Sequence, residues 1–430
     1  MSIIKDLTEL VSAQVISNDT AQQISDYYRS KGAKPDNSNR QLLIFGVFGA
    51  LLVGVGLMFI VANQWEVFPV IVKTFCAFLL LIIPQLLCGY VLLKKADKIV
   101  WRESTALMLF FAVGANISLV SQIYHINGDA SSFLLVWMLL TLPLIYILDA
   151  SAISLAYFIG IMSYSIAVRS DVSDPLREYF YWFLFVLPLP RYFRLFKRSP
   201  ESPLFILHHW IIPLVLTMIL GMLSRKNAIW MYPAYVSMFG MIYLAGNNPF
   251  FSKRSILQNG YRIIGFAGMF CTMLILSFKM NWRDLSGRNI EFGNLAGTPE
   301  FIVNLVLIGF ASMLLFRQNK NLPLKKWKMI EATYLIFMFI FILGIFTSRS
   351  YILVNIYLFL MGMIMIRKGS QLANLGELNT GLIIIALLVA FRSVDADLTF
   401  VVKGSVLVLV GIGFFIANWL IINKRKENES

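Results

Sequence analysis

The chain has 430 residues, of which 58% are hydrophobic and 14% charged, with a mean hydropathy of +0.73. A water-soluble protein carries roughly a quarter of its residues as Asp, Glu, Lys and Arg, so water is not the main solvent for this surface. The net charge of +14 does not point to nucleic acid, because the cations fall in short clusters between apolar runs and form no basic stripe interleaved with aromatics. Cys76, Cys88 and Cys271 all lie inside apolar runs and offer neither a disulfide framework nor a metal-ligand spacing. Cys76 and Cys88 would stand about 18 Å apart on one helix, too far to bridge.

In chain order, residues 1–34 read as soluble. Ile3, Ile4, Leu7, Leu10, Val11 and Val15 recur at helical spacing, and Ser17-Asn18-Asp19 then marks a second helix start. Ile24, Tyr27 and Tyr28 make the second apolar stripe, and Gly32 with Pro35 stops it. A helical hairpin this small buries too little to stand alone, so it is expected to dock on its own protein, the membrane surface or a cytoplasmic protein partner. The first apolar run begins near Leu42, behind about forty polar residues, so no cleavable signal is expected.

Apolar runs follow at 42–62, 69–93, 105–120, 133–148, 152–168, 179–196, 204–223, 229–245, 257–278, 301–316, 329–346, 351–366, 381–391 and 400–422. The expected fold is all-α: a polytopic transmembrane bundle of about 14 spans with both termini cytoplasmic. Its parts are a hairpin arm over 1–40, the transmembrane region over 41–422 and a basic tail over 423–430. Gly46, Ala50 and Gly54 give the first run a small face for close helix packing. Pro84, Pro143, Pro188 and Pro213 are expected as tolerated kinks. With the N-terminus in the cytoplasm and strict alternation, about 26 of the 37 Lys and Arg residues fall on the inner side.

Three outer loops then carry the polar chemistry. The first holds Trp65 and Glu66. The second is Gln122-Ile123-Tyr124-His125-Ile126-Asn127-Gly128-Asp129. The third holds Arg392, Asp395 and Asp397, with Lys403 opening the last run. Arg392 and Lys403 suit a phosphate or carboxylate head group. His125 beside a carboxylate suits a general base. Glu66, Asp129, Asp395 and Asp397 offer oxygen to a hard cation, against the plainer reading that these groups cap helix ends and pair with one another. The span centres hold polar Asn116, Ser118, Asn304 and Asn355 but almost no carboxylate, which argues against ion coupling. His208 and His209 are adjacent, point in different directions, and are expected at the interfacial end of a span. No Walker, nucleophile-elbow or HExxH motif is present, and no metal or cofactor is expected.

The two-helix arm, the Gly-rich first run ending Ala62-Asn63-Gln64-Trp65-Glu66, and the Gln122-Ile123-Tyr124-His125 loop with Asp129 resemble the predicted bacterial membrane proteins grouped as domain-of-unknown-function family 2157 (DUF2157). The segment 391–404 is similar to that family's C-terminal part. The resemblance implies a bacterial cytoplasmic (inner) membrane, with no activity attached. The leading expectation from the residues is uncoupled transport or handling of an amphiphilic or anionic small molecule through a polar site at the outer face. The alternatives are a glycosyl- or lipid-transferring enzyme using outer-loop carboxylates, and a scaffold recruiting a cytoplasmic partner through residues 1–34.

Overall fold

The computed structural model describes residues 15–31, 67–171, 179–224, 228–252, 254–286, 297–323, 327–372 and 374–395, with isolated positions or short pieces at 11, 45, 48–49, 52, 177, 401, 404–405, 408, 411–416 and 419. Trp65, Glu66, Asp397, Lys403, most of the first and last apolar runs and the basic tail lie outside the described residues. Helices and helical turns make up the regular structure, with no strand among the described residues. The chain divides into two compact units. One comprises Met1–Gly128 and Leu139–Ile153, the other Asp129–Met138 and Ser154–Ser430.

The first unit contains α1 (Asn18–Lys31), α2 (Val70–Lys94) and α3 (Ile99–Ile123). Ser17 caps α1 as its sequence predicts: the Thr20 amide donates to Ser17 Oγ at 3.2 Å. Pro69 opens α2, where its missing N–H costs nothing, and Lys94 closes it against the negative end of the helix dipole. Ala77, Pro84, Cys88 and Val91 are the buried stripe of α2, while Ile71 and Leu93 are each 83% exposed. A helix this apolar outside its buried stripe needs hydrocarbon around it. Polar side chains here serve the backbone: Asn116 Nδ2 donates to Ala77 O at 2.7 Å, and Cys88 Sγ to Thr105 O at 3.3 Å.

The chain continues as α4 (Ala130–Ile147) and α5 (Ser151–Asp171), through which the division between the units passes. The second unit then adds α6 (Phe180–Val186), α7 (Leu189–Arg198), α8 (Pro203–Gly221), α9 (Met231–Gly246), α10 (Gly260–Ile275), α11 (Met280–Ser286), α12 (Pro299–Asn319), α13 (Thr333–Phe346, behind the turn Met329–Ala332), α14 (Ser350–Gln371) and α15 (Leu375–Asp395). Among the described residues nine helices are long and apolar enough to cross a membrane. Three further expected spans take other forms. The 179–196 run breaks at Leu187–Pro188 into two short helices, and α9 and α10 have 16 residues each. Pro84, Pro143 and Pro213 do lie inside helices, whereas Pro188 sits at the break. A second proline two residues on, Pro190, leaves consecutive turns there without a donor.

Within the second unit, helix ends meet as a chain that reverses direction at every connection requires. Arg169 at the end of α5 donates to Met222 O beyond α8 at 3.1 Å, and Asn304 near the start of α12 donates to Trp230 O before α9 at 2.7 Å. Glycines let the paired helices approach. A Cβ on Gly381 of α15 would stand 2.6 Å from Gly362 O and 2.8 Å from Ile366 N of α14, whereas a Cβ on Gly309 of α12 meets nothing within 4 Å. The two sites therefore respond to alanine with opposite signs. Gly381→Ala is expected to destabilise the detergent-solubilised protein by about 1–3 kcal/mol. Gly309→Ala is expected to be neutral or to stabilise it by up to about 1 kcal/mol, and thermal unfolding compares them.

Candidate functional site

The Tyr124–Asp129 connection is built from two helix caps. Tyr124 ends α3, its amide donating to Val120 O at 3.0 Å. His125 then takes a left-handed backbone with φ of 51°, and the Ile126 amide reaches back to Ser121 O at 2.9 Å. That is a Schellman end, with His125 in the place usually given to glycine. His tolerates it better than a β-branched residue would. The exposed Tyr124 hydroxyl pairs with Thr74 Oγ1 at 3.1 Å, one turn into α2.

Asp129, the first residue of the second unit, caps α4. Ser131 Oγ donates to Asp129 Oδ2 at 2.7 Å and the Ser132 amide to Oδ1 at 3.2 Å. The Ser132 side chain first and the Ser131 side chain next, with the Ser132 amide adding least, hold the carboxyl at a pKa of about 2. A depressed carboxylate contributes stability that is complete above its unfolded pKa and is lost as pH falls toward the folded value. The cap is thus intact throughout the physiological range. Arg177 Nη1 donates to Ser132 Oγ at 3.0 Å beside it.

Arg392, in the last turn of α15, is half-buried on the connection after α10. Its Nη2 donates to Ser277 Oγ at 3.3 Å, and its guanidinium lies over the Phe278 ring at 4.5 Å. Ser277 is fully buried and serves a second helix as well, because Asn355 Nδ2 of α14 donates to Ser277 O at 2.9 Å. The carbonyl oxygens of the Asn355 and Asn304 side chains are buried without a hydrogen-bond partner. Their amide groups are committed to backbone carbonyls, which fixes the direction each oxygen faces. Asp395 ends the same helix as Arg392. Of the expected site residues, Tyr124 and His125 therefore belong to the cap of α3, Asp129 to the cap of α4, and Arg392 to the Ser277 corner. Among the described residues no group of three or more His, Cys, Asp or Glu side chains is placed to hold a metal.

Two constellations escaped the sequence reading. Glu103, in the second turn of α3, is only 4% exposed and accepts from the amides of Ser151 at 2.9 Å and Ala152 at 2.7 Å. A carboxylate from one helix thereby caps the start of another. Beside it Arg102 lies 3.9 Å from Asp149, whose φ of 48° turns the chain between α4 and α5. The second constellation surrounds His208 and His209, both wholly buried rather than interfacial. His208 Nδ1 lies 2.6 Å from Leu204 O and its Nε2 3.1 Å from Ser154 Oγ. His209 is packed by Phe205, Phe251 and Tyr261, with Nδ1 3.2 Å from Gln258 O. The carbonyl partners require Nδ1–H on both rings, which fixes the direction each ring faces in this apolar wall. The doublet His-His shows nothing of this in sequence, because burial comes from the 249–261 segment folding back over α8.

Residues 8–154 match the family described as "Predicted membrane protein (DUF2157)". That match and the nine apolar helices make the chain a multi-pass membrane protein. The matched stretch contains the caps of α3, α4 and α5 and stops well before Arg392. No curated protein and no solved structure matches the chain.

Two substitutions separate scaffolding from chemistry here. His125→Gly is expected to keep or raise the thermal midpoint, by up to about 1 kcal/mol, because glycine is at ease in the left-handed position; His125→Val is expected to lower it. Glu103→Ala leaves two amides at a buried helix start without their acceptor, and is expected to cost about 2 kcal/mol or more in the same measurement.

Proposed function

We propose that this multi-pass membrane protein handles an anionic amphiphile at the ends of its spans away from the basic clusters, without coupling to an ion gradient. Arg392 carries the reading. It is the one cation of the expected site whose side chain is described, and it is half-buried at a helix end, held by Ser277 and the Phe278 face. A guanidinium steadied on an aromatic ring keeps donors in a fixed fork suited to phosphate or carboxylate. Phe278, Phe391 and the neighbouring span give an acyl chain an apolar surface beside it. This reading goes with a bundle of about 14 spans with cytoplasmic termini.

The absence of coupling rests on the middle of the described spans. Charged side chains stand at the ends of these helices, and the centres carry none. The uncharged Asn116, and Asn304 and Asn355, which the structure places in the second turns of α12 and α14 rather than at span centres, donate to backbone carbonyls instead of forming a relay of titratable groups. Ion-coupled carriers keep costly intramembrane charges for that relay.

The test is movement of fluorescently labelled phosphatidylglycerol between the leaflets of proteoliposomes. The rate is expected to be unchanged when proton and sodium gradients are dissipated, and to fall about tenfold or more in Arg392→Gln, the loss of one charge-assisted contact. His125→Gly should leave it unaltered. A rate that collapses with the gradient, or an Arg392→Gln protein as fast as the parent, would sink the proposal.

A further inference from the structure

We infer a second lipid contact, an anionic headgroup site on α7 and the neighbouring 249–258 segment, at the opposite, basic end of the second unit. The helix α7 runs Leu-Pro-Arg-Tyr-Phe-Arg-Leu-Phe-Lys-Arg and is strongly two-faced. Arg191, Tyr192 and Leu195 are buried, with Tyr192 stacked on Phe205 of α8 at 5.4 Å between ring centres. The other face presents Phe193, Arg194, Lys197 and Arg198, all exposed. Positions three and four apart share one side of a helix, so Arg194, Lys197 and Arg198 form one cationic patch.

The 249–258 segment extends this patch. Phe196 of α7 packs edge-on against Phe250 at 4.5 Å. Arg254 Nη2 donates to Pro200 O at 2.7 Å and the guanidinium lies over the Phe250 ring at 4.9 Å. One cation of the corner is thus fixed in place beside the α7–α8 turn. Phe193, Ile256 and Leu257 stand 58%, 63% and 77% exposed around it. Exposed apolar side chains interleaved with exposed cations fit the boundary between acyl chains and headgroups, and fit water badly.

Charge complementarity selects the headgroup. Among the described residues of 187–215 and 246–265 the chain carries Arg191, Arg194, Lys197, Arg198, Arg254 and Arg262 against the single acid Glu201. Such a corner has a net positive field and calls for a phosphate-bearing, anionic lipid. The positive-inside rule places it on the cytoplasmic leaflet. The inference is independent of Arg392, which belongs to a different corner of the unit.

Retention of phosphatidylglycerol by the purified full-length protein in zwitterionic detergent tests this, with phosphatidylcholine and inorganic phosphate as comparison probes. The parent is expected to retain phosphatidylglycerol selectively. R194Q/K197Q/R198Q should weaken that retention on the order of a hundredfold, each surface cation contributing about a factor of five. The control R317Q/R367Q/K368Q removes equal charge from other basic helix ends and should change retention little. Labelled-lipid movement in proteoliposomes should survive the α7 triple substitution, so failure here is distinguishable from failure at Arg392. The inference is overturned if the α7 triple retains lipid like the parent, if the control loses as much, or if inorganic phosphate displaces the lipid at matched concentration.

Discussion

A helix that crosses hydrocarbon satisfies its own backbone except at its two ends, and there it has no water to fall back on until it reaches an interface. That constraint orders the described parts of this chain. Asp129 spends its carboxylate on the first turn of α4, and Glu103 spends its carboxylate on the first turn of α5. His125 accepts a strained backbone so that Ile126 can close the last turn of α3. Asn116, Asn304 and Asn355 donate to carbonyls of neighbouring elements. The polar residues near the spans are committed first to the backbone, and only those with capacity to spare remain available for chemistry.

Charge follows from the same requirement. The centres of the described spans are left to uncharged side chains, and the cations stand at helix ends and connections, where they meet carbonyls, aromatic faces or an acid. Arg254 lies on Phe250 and Pro200, Arg392 on Phe278 and Ser277, and Arg102 beside Asp149. Close packing between the helices comes from glycine, as at Gly362 and Gly381, which substitutes for a hydrophobic drive that lipid cannot supply.

Much of this was legible in the residues. Long apolar runs identify helices without homology, and the start of α1 at Ser17 and the place of Cys76 and Cys88 on one helix follow from spacing alone. Three things were not legible. The break after α6 needs the context of Pro188 and Pro190 together, since isolated prolines elsewhere stay inside helices. The burial of His208 and His209 depends on a segment some fifty residues away covering them. The role of Glu103 depends on the start of α5, likewise far along the chain, coming to meet it. Local pattern carries secondary structure well, but it does not state which helix end will lack a donor or acceptor. For His125 the polar side chain suggested chemistry while its backbone had the decisive role.

The account turns on alternate ends of the spans reaching opposite faces, with the basic ends in the cytoplasm. Site-directed labelling measures this directly. In a chain whose three native cysteines are replaced by alanine, single cysteines at Lys197, Lys320 and Lys368 report one set of ends, and cysteines at Lys279 and Arg349 the other. A membrane-impermeant maleimide applied to intact cells is expected to label positions 279 and 349 and to reach 197, 320 and 368 only after permeabilisation. Labelling of 197, 320 or 368 in intact cells, or the two sets reacting alike, would contradict the alternation on which both proposed sites depend.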